Sequence, residues 1–136
     1  MLSRRRFAFC ALCAAGGALS APIGVRAQAP GFTRTVLNRI EAPGDTHVTL
    51  QVLVEIDANT LVARHTHPGT EEGYVLDGAA TLGMKGQPDR AIKTGDAFQV
   101  PQAIPHFVQN GPAKTRVLSI YVVEKDKPLA TPAPDA

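Results

Sequence analysis

This chain of 136 residues has only two cysteines, Cys10 and Cys13, and both lie near the N-terminus. The rest of the chain therefore cannot form disulfides, bind metal through thiolates or use a cysteine nucleophile. Runs of lysine and arginine are also absent after the first residues, so a nucleic-acid or anionic-membrane partner has little electrostatic support. The sequence contains no nucleophile motif and no glycine-rich phosphate loop. Any chemistry must come from its other polar residues.

Residues 1–27 have the composition of an export signal that is removed. Arginines are followed by an apolar segment from Phe7 to about Ala21, and small residues precede Gln28. A membrane-spanning helix needs about 20 apolar residues, and this apolar segment is shorter. We therefore expect the signal to be cleaved, which leaves a protein without a stable membrane anchor. The start "SRRRF" resembles the twin-arginine signature of proteins that are exported after folding, although ordinary secretory signals also begin with basic residues. We predict a periplasmic or secreted protein.

Removal of this signal changes the charge of the chain. It takes away four of the 14 Lys and Arg residues and leaves ten against 12 Asp and Glu, a net charge of −2. The remaining length is typical of one domain, which we place at residues 33–124. Residues 125–136 are rich in Pro and Ala without apolar periodicity, which predicts an extended or disordered tail.

The pattern of the mature chain is that of short β-strands. In Thr46–Ile56, apolar residues occupy every second position from Val48 onward, which predicts a strand with one buried face. Turn signals separate the further candidates, and Asp77-Gly78 reads as a hairpin turn. No convincing helical period follows the signal, so we expect an antiparallel sandwich or small barrel. The other predicted strands are Leu61–Thr66, Gly73–Leu76, Ala79–Met84, Arg90–Lys93, Ala97–Val100, His106–Gln109 and Arg116–Glu124.

The candidate site lies in "RHTHPGTEEGYVLDG", Arg64 to Gly78. His65 and His67 are two residues apart, so on a strand both imidazoles leave the same face. Glu71 follows the Pro68-Gly69 bend and can return a carboxylate to that face. Two imidazoles and a carboxylate form a typical site for a divalent metal.

Together with a second segment, "GDAFQVPQAIPHFVQN", this stretch resembles the two motifs of the cupin family. The first motif, G-x5-H-x-H-x3,4-E-x6-G, is met by His65, His67, Glu71 and Gly78. The second, G-x5-P-x-G-x2-H-x3-N, is met by Gly95, Pro101, His106 and Asn110. Asn59 and Ala103 replace a glycine in each. Asn tolerates positive φ, whereas alanine at such a bend must avoid positive φ or carry strain.

The resemblance implies an all-β fold, the double-stranded β-helix or jelly-roll barrel, as a single domain and commonly a homodimer. It also implies that His65, His67, Glu71 and His106 hold one divalent metal ion. Glu72 is a rival to Glu71, because the motif allows three or four residues after the second histidine, but the interval to Gly78 favours Glu71. His47 lies on a polar strand face and is expected to be solvated.

Nitrogen and oxygen ligands without sulfur fit Mn, Fe, Zn, Ni or Cu. Export after folding favours Mn or Fe, because the site would close before meeting the copper and zinc of the envelope. The resemblance implies a dioxygenase-like enzyme on a small oxygen-rich molecule, in which Glu71 could also accept a proton. The alternatives are a non-catalytic binder of metal or small ligand and a metal-dependent isomerase or decarboxylase. Phe98, Phe107, Tyr74 and Tyr121 are aromatic candidates for a pocket, with plain core packing the stronger expectation.

Overall fold

The computed structural model describes residues 30–134, so the predicted signal at residues 1–27 lies outside the described part of the chain. Between residues 30 and 134 the chain forms ten β-strands and no helix, and hence no helix that could cross a membrane. The strands are β1 (Phe32–Glu41), β2 (His47–Ile56), β3 (Leu61–Thr66), β4 (Gly69–Asp77), β5 (Ala79–Met84), β6 (Arg90–Lys93), β7 (Ala97–Val100), β8 (His106–Asn110), β9 (Thr115–Glu124) and β10 (Thr131–Pro132).

The strands form two antiparallel sheets of five strands each. One sheet has the order β1-β2-β9-β4-β7 and the other has the order β10-β3-β8-β5-β6. Consecutive strands often lie in different sheets, as a jelly roll requires. The all-β, single-domain, double-stranded β-helix expected from the sequence is therefore confirmed.

The core lies between the inner faces of the two sheets. On β2, Val48, Leu50, Val52, Val54 and Ile56 are all buried, while the alternate residues from His47 to Glu55 are only half-buried. This confirms the face predicted from the alternation of apolar residues. The same alternation buries every second residue of β9, from Thr115 to Val123.

The hairpin predicted at Asp77-Gly78 is wrong. β4 pairs with β9 and β7 in one sheet, whereas β5 pairs with β8 and β6 in the other. The turn therefore carries the chain from one sheet to the other, with Gly78 at φ +91° and no room for a side chain beside Thr115. A turn signature marks the change of direction but does not specify whether the flanking strands pair.

Both residues that replace motif glycines adopt positive φ, Asn59 at +58° and Ala103 at +60°. Alanine has no side-chain oxygen to compensate for this left-handed conformation, which costs about 1–2 kcal/mol for an L-residue. Of the two alternatives that the sequence left for Ala103, the structure shows the strained one. The nearby hydrogen bond from the Ala103 amide to the His67 carbonyl, at 3.1 Å, ties this bend to the end of β3.

The C-terminal residues form an extended arm that crosses back over β3. Thr131 and Pro132 pair with Thr66 and His65, and the Ala133 amide donates to the Arg64 carbonyl at 3.0 Å. Leu129 packs against the core. This segment was predicted to be extended or disordered; residues 125–127 form a turn, and residues 131–132 form an extended strand.

Candidate metal centre

The predicted site residues come together at the inner faces of both sheets. His65 lies on β3 and His67 follows the last residue of that strand, while His106 begins β8 directly opposite His65 in the register. Glu71 reaches the same point from β4, in the facing sheet. All four side chains are buried. The three histidines offer ligand nitrogens that all lie within 4.8 Å of one another, an arrangement able to hold a metal ion.

Hydrogen bonds to main-chain carbonyls orient the three imidazoles. The Nδ1 atom of His65 donates to Ala63 at 2.8 Å, that of His67 to Leu129 at 2.5 Å and that of His106 to Ile104 at 3.1 Å. A carbonyl oxygen only accepts, so the proton of each neutral ring is on Nδ1 and the lone pair is on Nε2. Metal-binding histidines typically have their second nitrogen fixed in this way.

The Nε2 atom of His67 is buried without a hydrogen-bond partner although Glu71 Oε2 lies 3.0 Å away. Glu71 Oε2 also lies 3.6 Å from His106 Nε2. Lone pairs of a carboxylate and a neutral imidazole repel at this distance unless a proton or a cation lies between them. The imidazole nitrogens and the carboxylate oxygen therefore fit a divalent cation, which would accept a lone pair from each of them.

Two hydroxyls hold the Glu71 carboxylate in place. Ser119 and Tyr121, both buried on β9, donate to Glu71 Oε1 at 2.7 and 2.9 Å, which leaves Oε2 facing the histidines. The neighbouring Glu72 points to the opposite face, is exposed and accepts a hydrogen bond from Gln99. The structure therefore places Glu71, and not Glu72, beside the imidazoles.

Burial and local contacts shift the pKa values at the site. Burial is the main cause that lowers the pKa of His65 to about 3, and the nearby His106 acts in the same direction, so His65 is neutral at pH 7. Burial alone would raise the pKa of Glu71, but hydrogen bonding with His106 and His67, which needs a proton between the ring nitrogens and Oε2, and the Ser119 hydrogen bond outweigh it and lower the pKa well below the usual range. Burial and the Glu71 charge raise the pKa of Tyr121, so its phenol stays a donor.

A cavity opens beside these groups between the two sheets. Its polar residues are Arg34, His65, Glu71, His106, Thr115, Ser119 and Tyr121, and its other walls are apolar, with Val54, Ile56, Leu82 and Phe98 among them. Arg34 enters the cavity from β1, where its Nη2 lies 3.3 Å from His65 Nε2. A buried polar cluster within apolar walls is typical of a small-molecule site.

The other sequence candidates lie elsewhere or serve other roles. Phe98 and Tyr121 line the cavity, whereas Tyr74 is exposed on the outside of its sheet. The guanidinium carbon of Arg64 lies over the Phe107 ring, 5.0 Å from the ring centre. His47 lies on the polar face of β2, and its Nδ1 atom is 3.0 Å from the hydroxyl of the preceding residue, Thr46.

Sequence reasoning missed Arg34, Ser119 and the Leu129 carbonyl. The signal for Ser119 was present, because a polar residue on the apolar face of a strand needs a partner when it is buried. Arg34 lacked such a signal, since β1 shows no clean alternation. The Leu129 carbonyl could not be found from a pattern, because a backbone acceptor is the same at every residue.

Comparisons with known proteins agree with this architecture. Residues 52–121 match the family described as the cupin domain. The fold is similar to that of the DMSP lyase DddQ from Ruegeria pomeroyi DSS-3, with a TM-score of 0.64 and 22% identity, over 75% of this chain and 51% of that chain. The chain thus spans about half the length of that lyase.

Two further solved structures are similar over most of their own length. KdgF from a Halomonas species has a TM-score of 0.59 and 23% identity, over 72% of this chain and 85% of that chain. An uncharacterized protein with a double-stranded β-helix domain from Klebsiella pneumoniae has a TM-score of 0.59 and 20% identity, over 79% and 90%. No curated protein matches the sequence. Since the family match covers half of the chain and carries all three histidines, the chain belongs to the cupin family.

Proposed function

We propose that this chain is an exported, metal-dependent cupin enzyme that acts on a small oxygen-rich molecule. The observation that carries the proposal is a cluster of three imidazoles, each fixed by a carbonyl behind the ring, with a buried Glu71 oxygen 3.0 and 3.6 Å from two of them. Such a constellation has a high energetic cost if it stays empty, because buried acceptors without partners lose their hydration.

Glu71 is proposed as the fourth ligand beside His65, His67 and His106. Its Oε2 lies nearest to His67 and His106, and its lowered pKa keeps it ionised. Ser119 and Tyr121 fix the carboxylate from behind, in the same way that the carbonyls fix the imidazoles. Residues of both sheets thus contribute to one site.

A divalent ion at this site would act as a Lewis acid and a template for an oxygen-rich ligand. The apolar walls lower the local dielectric constant, which strengthens electrostatic interactions in the cavity. The ligand types fit Mn, Fe, Zn, Ni or Cu. We propose Mn or Fe as the occupant because export after folding would let the site close before it meets other metals. Because Glu71 is ionised, its Oε2 could also accept a proton from a bound ligand.

Dioxygenation is the leading reaction, and it predicts O2 consumption with flavonols, catechols or 1,3-diketones. A redox-neutral lyase, isomerase or decarboxylase is the second candidate, and the structurally similar proteins include two DMSP lyases. A non-catalytic binder predicts saturable ligand binding without a product. Fold similarity alone does not choose among these reactions.

The test is an anaerobic metal analysis of the protein exported in its native host, followed by oxygen-electrode measurements with the three substrate classes. Mn or Fe with O2 uptake would support dioxygenation, whereas zinc alone at full occupancy would refute it. The companion variant is His106→Ala, with His47→Ala as the matched control on the outside of the fold. Unchanged metal content in His106→Ala would refute the ligand assignment.

A further inference from the structure

Arg34 lies inside the barrel although it belongs to an edge strand. It is paired with Val54 in the register of β1 and β2, so both side chains point inward, and its side chain is half-buried. The guanidinium carbon lies 4.5 Å from the ring centre of Phe32, two residues earlier on the same face. This stacking holds the cation at the cavity wall.

The guanidinium is directed at the atom that would bind the metal. His65 Nδ1 donates to Ala63, so its Nε2 accepts, and Arg34 Nη2 lies 3.3 Å from that Nε2. A metal ion at the three histidines would take the same lone pair. Arg34 lines the same cavity as His65, so a ligand of that ion in the cavity would lie within reach of the guanidinium.

The charge of the cavity points to the same conclusion. Among the described residues that line it, Arg34 and Glu71 are the charged ones, and their charges cancel. A divalent ion therefore leaves an excess of about two positive charges in a chamber with mostly apolar walls, where uncompensated charge is costly. A neutral ligand would not reduce this excess, whereas an anionic ligand would.

We infer that Arg34 is a specificity-determining residue that binds the carboxylate of a small carboxylic-acid substrate, while another oxygen of that substrate reaches the metal. This inference rests on the proposed metal-dependent function and names the substrate class of the same site. The planar guanidinium matches a carboxylate with two parallel N–H···O bonds, which an ammonium group cannot reproduce. Neutral diketones and catechols lack this group.

The experiment compares pyruvate with pyruvamide, its neutral amide, by calorimetric titration of the Mn2+-loaded protein. We expect Arg34→Gln to raise the Kd for pyruvate by about 10- to 100-fold, the range for a lost charge-assisted bond pair. The Kd for pyruvamide should change less than about threefold, and Mn2+ content should stay at the wild-type level. Arg34→Lys should lose part of the pyruvate affinity, and it decides the question if Arg34→Gln does not fold.

Arg39→Gln is the matched control, because Arg39 lies on the same strand but is exposed and paired with Glu41. It should leave both Kd values unchanged. Equal pyruvate affinity in wild type and the Arg34 variants, with Mn2+ bound in all, would overturn the inference and leave the metal centre standing. Loss of Mn2+ in the Arg34 variants would also overturn it, since Arg34 would then support the metal. A wild-type protein that takes up no metal would overturn the metal centre and this inference together.

Discussion

Removal of the C-terminal arm should weaken metal binding, although the arm contributes no ligand. His67 Nδ1 donates to the Leu129 carbonyl at 2.5 Å, across 62 positions of sequence. The arm is also paired with β3, the strand that leads into His67. Loss of this carbonyl leaves His67 free to rotate and to exchange tautomers, so Nε2 would no longer present a fixed lone pair.

Two truncations separate the carbonyl from the rest of the arm. A stop after Ala130 removes β10 but keeps Leu129, whereas a stop after Lys127 removes both. Loss of a hydrogen bond behind a metal-binding histidine typically costs 10- to 100-fold in metal affinity, which is about 1.4–2.8 kcal/mol. The shorter chain should show this loss relative to the longer one. It should also lose about 1–3 kcal/mol of unfolding free energy, because a buried imidazole donor is left without an acceptor.

The assay is competition for Zn2+ or Mn2+ against a chromophoric chelator, with urea unfolding of the metal-free proteins measured in parallel. His67→Gln gives the reference for complete loss of that ligand. Equal metal affinity in the two truncated chains would refute the coupling between the arm and the site. A loss already complete in the longer chain would assign the effect to β10 pairing instead of the Leu129 carbonyl.

Three further predictions concern stability. Ser119→Ala should lower the unfolding free energy by about 1.5–3 kcal/mol, because the buried Glu71 carboxylate loses a charge-assisted donor; an unchanged urea midpoint would contradict this. Ala103→Gly should raise the unfolding free energy by about 0.5–1 kcal/mol, since relief of about 1–2 kcal/mol at positive φ exceeds the entropic cost of glycine; a lower Tm would show that the bend is not strained. Because the pKa of His65 is about 3 in the folded state and near 6.5 when unfolded, the unfolded state binds more protons between these values. Metal-free stability should therefore fall by up to about 1.4 kcal/mol per pH unit as the pH drops from 6 towards 4, and His65→Gln should flatten this slope in denaturation curves.

Most of the strands could be predicted because they depend on short-range periodicity, and most of the metal centre could be predicted because its residues resemble the cupin motifs. Alternation along β2 identifies its buried face, and the two-residue spacing places His65 and His67 on one side of β3. The motif spacing relates His106 and Glu71 to them. Four of the predicted strands have the observed bounds, namely Leu61–Thr66, Ala79–Met84, Arg90–Lys93 and Ala97–Val100. The strands and the shared face of His65 and His67 follow from local geometry, which a single sequence contains in full.

The tertiary structure alone decided which distant groups complete the site. Arg34 enters through the β1–β2 register, and Ser119 and Tyr121 reach Glu71 because β9 lies beside β4. The Leu129 carbonyl reaches His67 only because the arm folds back over β3. The Asp77-Gly78 turn joins two sheets instead of two paired strands for the same reason. Strand order and register are set by the packing of the whole barrel, in which each pairing depends on all the others, so the residues of one segment do not contain them.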